Sequence, residues 1–248
     1  MAKIGIIGGT GLEKSNLLLN PQKKKLTTKY GNPSSDILTG QMHGHDLAII
    51  SRHGEEHTIT PTHVNNKANI YVLKEIGCDF IIATTACGSL REEIKPGDFV
   101  LADQFIDFTR HREITFFDEF TDGEMKHTPM AEPYSKSVGS LINIASENLN
   151  IKLHKKGTIV TIEGPRFSTK AESHMFRLWG ADLINMSTAP ETILANEIGI
   201  PYAVIAISTY YDCWKDDEAP VSIDIVLENF KKSVASLLDL LSETVSLV

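Results

Sequence analysis

The stretch GTIVTIEGPRFSTKAES, residues 157–173, points most strongly to the fold and the kind of site in this chain. Its first half is an apolar, β-branched run that predicts a buried strand. The run ends in a carboxylate, a guanidinium, an aromatic ring and two hydroxyls, those of Glu163, Arg166, Phe167, Ser168 and Thr169. Burial of such a mixture is costly without partners, so this segment is expected to line a ligand site at the end of a strand.

The N-terminal run IGIIGGTG, residues 4–11, offers a second kind of binding element, one suited to an anion. A strand followed by closely spaced glycines exposes backbone N–H groups that can bind an anion. The glycine spacing does not fit the dinucleotide pattern G-x-G-x-x-G, and no GK[ST] follows, which disfavours a NAD-binding oxidoreductase. A simple turn and a phosphate cradle both remain open here, and the hydroxyl of Thr10 favours the cradle.

The composition is that of an ordinary globular protein. The 248 residues carry a formal net charge of −8, which argues against non-specific nucleic-acid binding. The N-terminus does not resemble a secretory signal, and no apolar run reaches the ~18 residues of a membrane span. No two of the three cysteines, Cys78, Cys87 and Cys213, form a CxxC motif, and all three are expected to be reduced thiols of a cytoplasmic protein.

Alternating apolar runs and amphipathic segments predict a single α/β domain over residues 1–248. Most of the strand candidates are continuously apolar, so we expect a central mixed, largely parallel sheet that is flanked by helices on both faces. The predicted strands are 3–8, 45–54, 78–89, 97–107, 156–164, 181–187 and 201–209. The predicted helices are 62–76, 134–149, 169–179, 190–198 and 222–246, with a long loop at 118–128.

Several strand candidates end in groups that can bind a ligand, and ligands of open α/β sheets bind at the carboxyl ends of strands. Arg52 and His53 end one strand, and the forked guanidinium of Arg52 matches phosphate. Asp212 follows the last strand and is a candidate general acid or hydrogen-bond partner, with a turn or cap residue as the alternative. Small or hydroxylic residues at other strand ends are Thr84, Thr85, Ala86, Ser187 and Thr209.

Two other chemistries are disfavoured by the local pattern. His53 and His57 are four residues apart, but Gly54 stands where a zincin has Glu, and Pro61 disfavours a helical frame. We therefore expect no metal, and the role of His57 stays open. Cys87 has no base nearby in the sequence, which favours a packed thiol over a nucleophile.

The motifs described above, taken in their order along the chain, resemble those of the methylthioadenosine phosphorylases within the trimeric purine nucleoside phosphorylase family. The matching strings cover nearly the whole chain and include TTACGSLREEI at 84–94 and TIEGPRFSTKAESHMFR at 161–177. The resemblance implies reversible phosphorolysis of a purine nucleoside, with inorganic phosphate as co-substrate and no metal or organic cofactor. It also implies a homotrimer.

The same resemblance implies roles for individual residues. The implied phosphate ligands are Thr10, Arg52, His53, Thr85, Ala86, Ser168 and Ser187. The implied nucleoside contacts are Phe167, Met186, Thr209, Tyr210, Asp212 and, across a subunit boundary, His127. The apolar wall around a 5′-methylthio group corresponds to Ile223, Val226 and Leu227, and the catalytic groups to Asp212 and Ser187.

One position departs from the family pattern. Adenine-directed members read T-D-Y-D where this chain has Thr209, Tyr210, Tyr211 and Asp212. A phenol, with a pKa of ~10, is a weak acid, whereas a carboxylate at Asp212 favours a 6-amino group as donor. The preferred nucleoside is therefore open between methylthioadenosine and methylthioinosine, inosine or guanosine, and a catalytically weak nucleoside-binding paralogue is a further alternative. Many members also extend beyond the position of Val248, which leaves the 5′ preference open.

Overall fold

The computed structural model describes residues 1–8, 18–121, 123–218 and 221–248. In these ranges the chain forms one mixed sheet of eleven strands and five α-helices. The predicted class, an α/β fold with a central mixed, largely parallel sheet, is confirmed. None of the described helices combines the length and the apolar character that crossing a bilayer requires.

The bounds of the elements are as follows. The strands are β1 (Lys3–Gly8), β2 (Leu19–Lys24), β3 (Ile37–Met42), β4 (His45–Ser51), β5 (Phe80–Ser89), β6 (Phe99–Leu101), β7 (Gln104–Phe108), β8 (Leu153–His154), β9 (Thr158–Ile162), β10 (Leu183–Asn185) and β11 (Tyr202–Tyr211). The helices are α1 (Asn66–Glu75), α2 (Lys136–Asn148), α3 (Lys170–Leu178), α4 (Thr188–Glu197) and α5 (Ile223–Ser246), with a 3₁₀ turn at Pro61–His63.

The strand pairing brings several polar strand ends together. Strand β1 lies between β4 and β5 and is parallel to both, and β11 is parallel to β5 on the other side. The carboxyl ends of β4, β5 and β11 therefore meet at one edge of the sheet. Strand β10 joins them from the opposite direction because it pairs antiparallel with the end of β5, through Leu183 with Ser89 and Ile184 with Gly88.

Apolar side chains cover both faces of the sheet, as the continuous apolar strands indicate. One core cluster packs β1, β4, β5 and β11 against α1 and α4, and includes Ile7, Ile81 and Leu194. The cluster on the other face packs the same strands against α2 and α5, and includes Ile82, Ile142 and Leu241. The sheet is thus a rigid support for the residues at its edge.

Helix boundaries follow local capping. The Asn65 side chain accepts a hydrogen bond from the Ala68 backbone N–H, so α1 begins at Asn66, four residues later than predicted. Thr169 and Glu172 form a reciprocal capping box at the start of α3.

The segment 97–107, predicted as one strand, forms two strands, because β6 pairs with β11 and β8 whereas β7 pairs with β9.

Candidate active site

A cavity of about 270 Å³ opens at the edge where these strand ends meet. One end of the cavity is polar and the other is apolar and aromatic. Most of the residues that the sequence nominated line it together. They are Arg52, His53, Thr84, Thr85, Ala86, Phe167, Ser168, Met186, Ser187, Tyr210, Ile223, Val226 and Leu227.

Arg52 supplies the positive charge of the polar end. Its side chain is almost fully buried, and its guanidinium forms a two-point ion pair with Glu191 of α4. Its Nη1 also donates to the Thr84 carbonyl oxygen at 2.9 Å. The fork is held rigidly, which suits recognition of a tetrahedral oxyanion.

His53 is a neutral imidazole beside Arg52. Burial and the positive charge of Arg52 lower the pKa of His53 to about 4. Its Nδ1 lies 2.9 Å from the Ile59 carbonyl oxygen, which can only accept, so Nδ1 carries the proton. Nε2 is then an acceptor, and His53 adds hydrogen bonding but no charge to the polar end. His57, whose role the sequence left open, also lines the cavity, with its ring centroid 4.7 Å from that of His53.

Hydroxyl groups and a helix N-terminus complete the polar end. Ser187 is the N-cap residue of α4, but its hydroxyl makes no capping hydrogen bond and lines the cavity. Backbone N–H groups at a helix start carry partial positive charge. Thr84 is among the residues around the cavity, but its hydroxyl is fully buried and, within the described part of the chain, has no hydrogen-bond partner.

Asn185 fixes the backbone between β10 and α4. Its amide donates to the hydroxyls of Thr85 and Thr188, at 3.3 and 2.9 Å. Its side-chain oxygen accepts from Thr161 at 2.8 Å and from the Ser187 backbone N–H at 3.4 Å. No local pattern in the sequence marks this residue, because its partners are distributed over three elements.

The apolar end is flat and aromatic. Phe167 and Tyr210 meet edge to face with ring centroids 5.7 Å apart, and Met186 lies beside them in the lining. The start of α5 closes this end with Ile223, Val226, Leu227 and Phe230, of which Phe230 was not predicted. Ile223 and Leu227 remain about half exposed. A planar apolar ligand with an aliphatic substituent fits such a surface.

A β-bulge sets the direction of Tyr210. Ser208 pairs with Cys87 and Tyr210 with Gly88, so Thr209 is the extra residue. Thr209, predicted to touch substrate, lies outside the lining: its buried hydroxyl donates to the Cys87 carbonyl oxygen at 3.2 Å. The Tyr210 ring lies over Gly88, where a Cβ would come within 2.7 Å of the ring. Burial and the Asp212 carboxylate raise the pKa of Tyr210 well above its usual value, so the phenol keeps its proton.

Asp212 lies behind the lining, not in it. Its Oδ2 accepts a 2.5 Å hydrogen bond from Ser168, so this hydroxyl, implied as a phosphate ligand, serves the carboxylate instead. Its Oδ1 is buried and has no partner among the described residues. This oxygen is a free acceptor one layer behind the aromatic end.

Three further predictions fall elsewhere. Thr10 lies outside the described residues. His127 is exposed and packs beside Phe120, with ring centroids 5.5 Å apart, away from the cavity lining of this chain. The Cys87 thiol is buried, and burial raises its pKa to about 12. It is a packed thiol, as expected, and not a nucleophile.

Glu163 is the centre of a hydrogen-bond cluster that holds two loops beside the cavity. It accepts from Thr62, from the backbone N–H groups of Arg110 and His111, and from the Nε of Arg112, at 2.6 to 3.0 Å. Burial alone would raise the pKa of Glu163, but these donors lower it to about 2. Pro61 and Pro165, at the two ends of this cluster, both line the cavity.

The depressed pKa of Glu163 predicts an acid-dependent stability. The ionised form stabilises the folded state above the ordinary pKa of 4.5, and this contribution is lost as the pH falls towards 2. We expect Glu163→Gln to lower the free energy of unfolding at pH 7, and the difference from the wild type to shrink between about pH 4.5 and 2. Urea unfolding over this pH range measures it. Glu172→Gln is the matched control: its pKa is also about 2, but its partner Arg166 is largely exposed, so its effect should be smaller.

Comparison with known proteins identifies the class. The chain belongs to the phosphorylase superfamily, whose family model matches residues 3–246. It is 54% identical to the S-methyl-5′-thioadenosine phosphorylase of Xenopus tropicalis, over 93% of this chain and 83% of that protein. It is 49% identical to the enzyme of the same name from Ciona intestinalis, over 99% of this chain and 89% of that protein.

Solved structures agree with this assignment. The methylthioadenosine phosphorylase of Schistosoma mansoni in complex with adenine superposes with a TM-score of 0.94 at 40% identity, covering 100% of this chain and 92% of that one. A mutant adenosine/methylthioadenosine phosphorylase from the same organism, in complex with methylthioadenosine, gives 0.93 at 40% identity and covers 100% and 91%. The resemblance inferred from the sequence is confirmed.

Proposed function

We propose that this chain catalyses phosphorolysis of 5′-methylthioadenosine to adenine and 5-methylthioribose 1-phosphate. The observation that carries the proposal is the two-ended cavity, which places a rigid guanidinium and a helix N-terminus opposite a flat aromatic surface. The relatives that bear the name methylthioadenosine phosphorylase support the choice of nucleoside.

In the proposed reaction, a phosphate oxygen attacks C1′ of the ribose while the bond from C1′ to the purine breaks. Positive charge develops on the sugar, and a bound phosphate stabilises it electrostatically as well as supplying the nucleophile. Arg52, Thr85, Ala86 and Ser187 are the proposed donors to phosphate. His53 is also a proposed phosphate ligand, and its acceptor atom Nε2 would take the hydrogen of a P–OH group. No metal or organic cofactor is required in this scheme.

The nucleoside would lie along the apolar end. Phe167 packs on the purine, Met186 contacts the ribose, and the departing base takes a hydrogen bond at its ring nitrogen from a protein donor. Tyr210, which keeps its proton, is the donor in the lining. Asp212 is the proposed acceptor for a 6-amino group, and its buried Oδ1, one layer behind the lining, becomes accessible only if lining side chains move when the nucleoside binds.

The start of α5 gives the proposed 5′ subsite. Ile223, Val226 and Leu227 form an apolar wall that suits a methylthio group better than a hydroxyl, by an amount of about 1–3 kcal/mol. Two of these side chains are half exposed in the isolated chain. We propose a homotrimer that acts in the cytoplasm, with His127 of a neighbouring copy facing this subsite.

A 6-oxopurine nucleoside is the second candidate, because Tyr210 occupies a position where adenine-directed enzymes carry a carboxylate. We expect Tyr210→Asp to raise the ratio of adenine release from methylthioadenosine to hypoxanthine release from methylthioinosine about 10-fold, which is ~1.4 kcal/mol. Tyr210→Phe is the control, because it keeps the ring over Gly88 and removes only the hydroxyl. A fall in the ratio for Tyr210→Asp would mean that the phenol itself favours adenine over hypoxanthine, and would count against the second candidate.

The proposed function is tested by base release from purified protein, with and without phosphate. The nucleosides to compare are methylthioadenosine, adenosine, methylthioinosine, inosine and guanosine. We expect phosphate-dependent release of adenine from methylthioadenosine to have the highest kcat/KM. Preferred release of hypoxanthine or guanine would support the second candidate, and binding without release would identify an inactive nucleoside-binding protein.

A further inference from the structure

Glu191 is a buried acid directly behind the polar end of the cavity. It lies in α4, four residues after Ser187, and its side chain is fully buried. Its Oε1 accepts from Arg52 Nε at 2.5 Å, and its Oε2 accepts from Arg52 Nη2 at 3.0 Å and from the Tyr202 hydroxyl at 2.6 Å. The carboxylate does not line the cavity, so it can act on a ligand only through Arg52.

The remaining donors of Arg52 can be counted. A guanidinium has five N–H groups in a planar fork. Glu191 takes the Nε–H and one Nη2–H, and the Thr84 carbonyl oxygen takes one Nη1–H. One N–H on each of the two Nη nitrogens is left without a partner among the described residues. Two N–H groups on adjacent nitrogens match two oxygens of one phosphate.

We propose that Glu191 is a positioning residue for phosphate: it fixes the Arg52 guanidinium so that its two remaining N–H groups serve the anion. The inference deepens the proposed function, because it rests on the phosphate site proposed above. The charge of Glu191 alone would weaken phosphate binding, because a carboxylate beside the guanidinium opposes the binding of a further anion. The contribution that we assign to Glu191 is therefore geometric: both Arg52 and Glu191 are removed from water, and three hydrogen bonds to the carboxylate hold the pair.

Electrostatics and geometry predict opposite changes in phosphate affinity when Glu191 is replaced. Glu191→Gln keeps the shape and removes the charge, but its amide N–H groups would face the donors of Arg52, so the fork loses its two-point support. We expect the Kd for inorganic phosphate to rise at least 10-fold. Glu191→Asp keeps the charge but is one methylene shorter, and it is expected to weaken phosphate binding at least 5-fold.

A matched pair of tyrosines separates positioning from general stability. The Tyr134 and Tyr202 rings are buried and stack with centroids 6.3 Å apart, but only the Tyr202 hydroxyl reaches Glu191. We expect Tyr202→Phe to raise the Kd for phosphate about 3-fold and Tyr134→Phe to leave it within the error of the measurement. These two variants keep the test decisive if a Glu191 variant fails to fold.

The experiment is calorimetric titration of the wild type and of each variant with inorganic phosphate, with the unfolding midpoint recorded in the absence of phosphate. Tighter phosphate binding by Glu191→Gln would overturn the inference, as would wild-type affinity in Glu191→Asp or equal effects of the two tyrosine variants. A wild type that binds phosphate but releases no base would refute the proposed function and leave the inference standing. A wild type that binds no phosphate would overturn the inference itself.

Discussion

Arg52→Met is expected to lower kcat/KM for phosphate about 1,000-fold, which corresponds to ~4 kcal/mol of lost transition-state stabilisation. Arg52 is the charged donor of the polar end, and its fork cannot be replaced by the neutral His53 beside it. The affinity for the nucleoside alone should change little, because the aromatic end is built from other residues. Initial rates at varied phosphate and saturating nucleoside measure the effect.

The same change leaves the Glu191 carboxylate buried without its main partner, which costs about 3–5 kcal/mol of folding stability. Loss of folding is separated from loss of function by the double variant Arg52→Met, Glu191→Leu, which removes both charges. We expect the double variant to regain much of the stability, as measured by urea unfolding, and none of the phosphate-dependent activity. Recovery of activity in the double variant would exclude Arg52 as the phosphate ligand.

Asp212→Asn is expected to lower turnover of methylthioadenosine at least 10-fold, or about 1.4 kcal/mol of barrier. The carboxylate holds Ser168 through Oδ2 and leaves Oδ1 as a buried acceptor. An amide at this position must present its NH₂ group on one side, so it cannot accept on both. The loss should be larger for methylthioadenosine than for methylthioinosine, which lacks the 6-amino donor.

Ser168→Ala is the control for this change. It removes the hydroxyl that donates to Asp212 without altering the carboxylate, and we expect a smaller loss than for Asp212→Asn. An unchanged kcat/KM for Asp212→Asn on the best nucleoside would remove Asp212 from the site and leave Tyr210 as the sole proposed hydrogen-bonding group for the base.

The polar end was predictable because it lies at strand ends. Apolar runs followed by Arg52, Thr85 and Ser187 were recognisable in the sequence. The parallel register of β4, β1 and β5 places Thr85 level with Arg52 at the end of β4, although β5 itself continues to Ser89. Ser187 reaches the same place through β10, which approaches from the opposite direction. The apolar wall of α5 was predicted from the resemblance to the family. The family match confirms that resemblance.

Residues whose role depends on distant partners could not be found in this way. Glu191 reads as an acid in the first turn of a helix, a common stabilising position, whereas its partner Arg52 is 139 residues away. The bulge at Thr209 depends on the register against β5 and has no local pattern. Strand β2 was missed because all six of its residues are exposed, so it carries no apolar alternation.

The central claim, that an anion held at the polar end attacks the sugar, is tested most directly by the identity of the sugar product. Methylthioadenosine is incubated with the protein and phosphate, and adenine, sugar phosphate and free sugar are quantified by mass spectrometry. We predict one 5-methylthioribose 1-phosphate for each adenine, and no cleavage when phosphate is omitted. Release of adenine with free 5-methylthioribose, at a rate independent of phosphate, would make the protein a hydrolase and contradict the account.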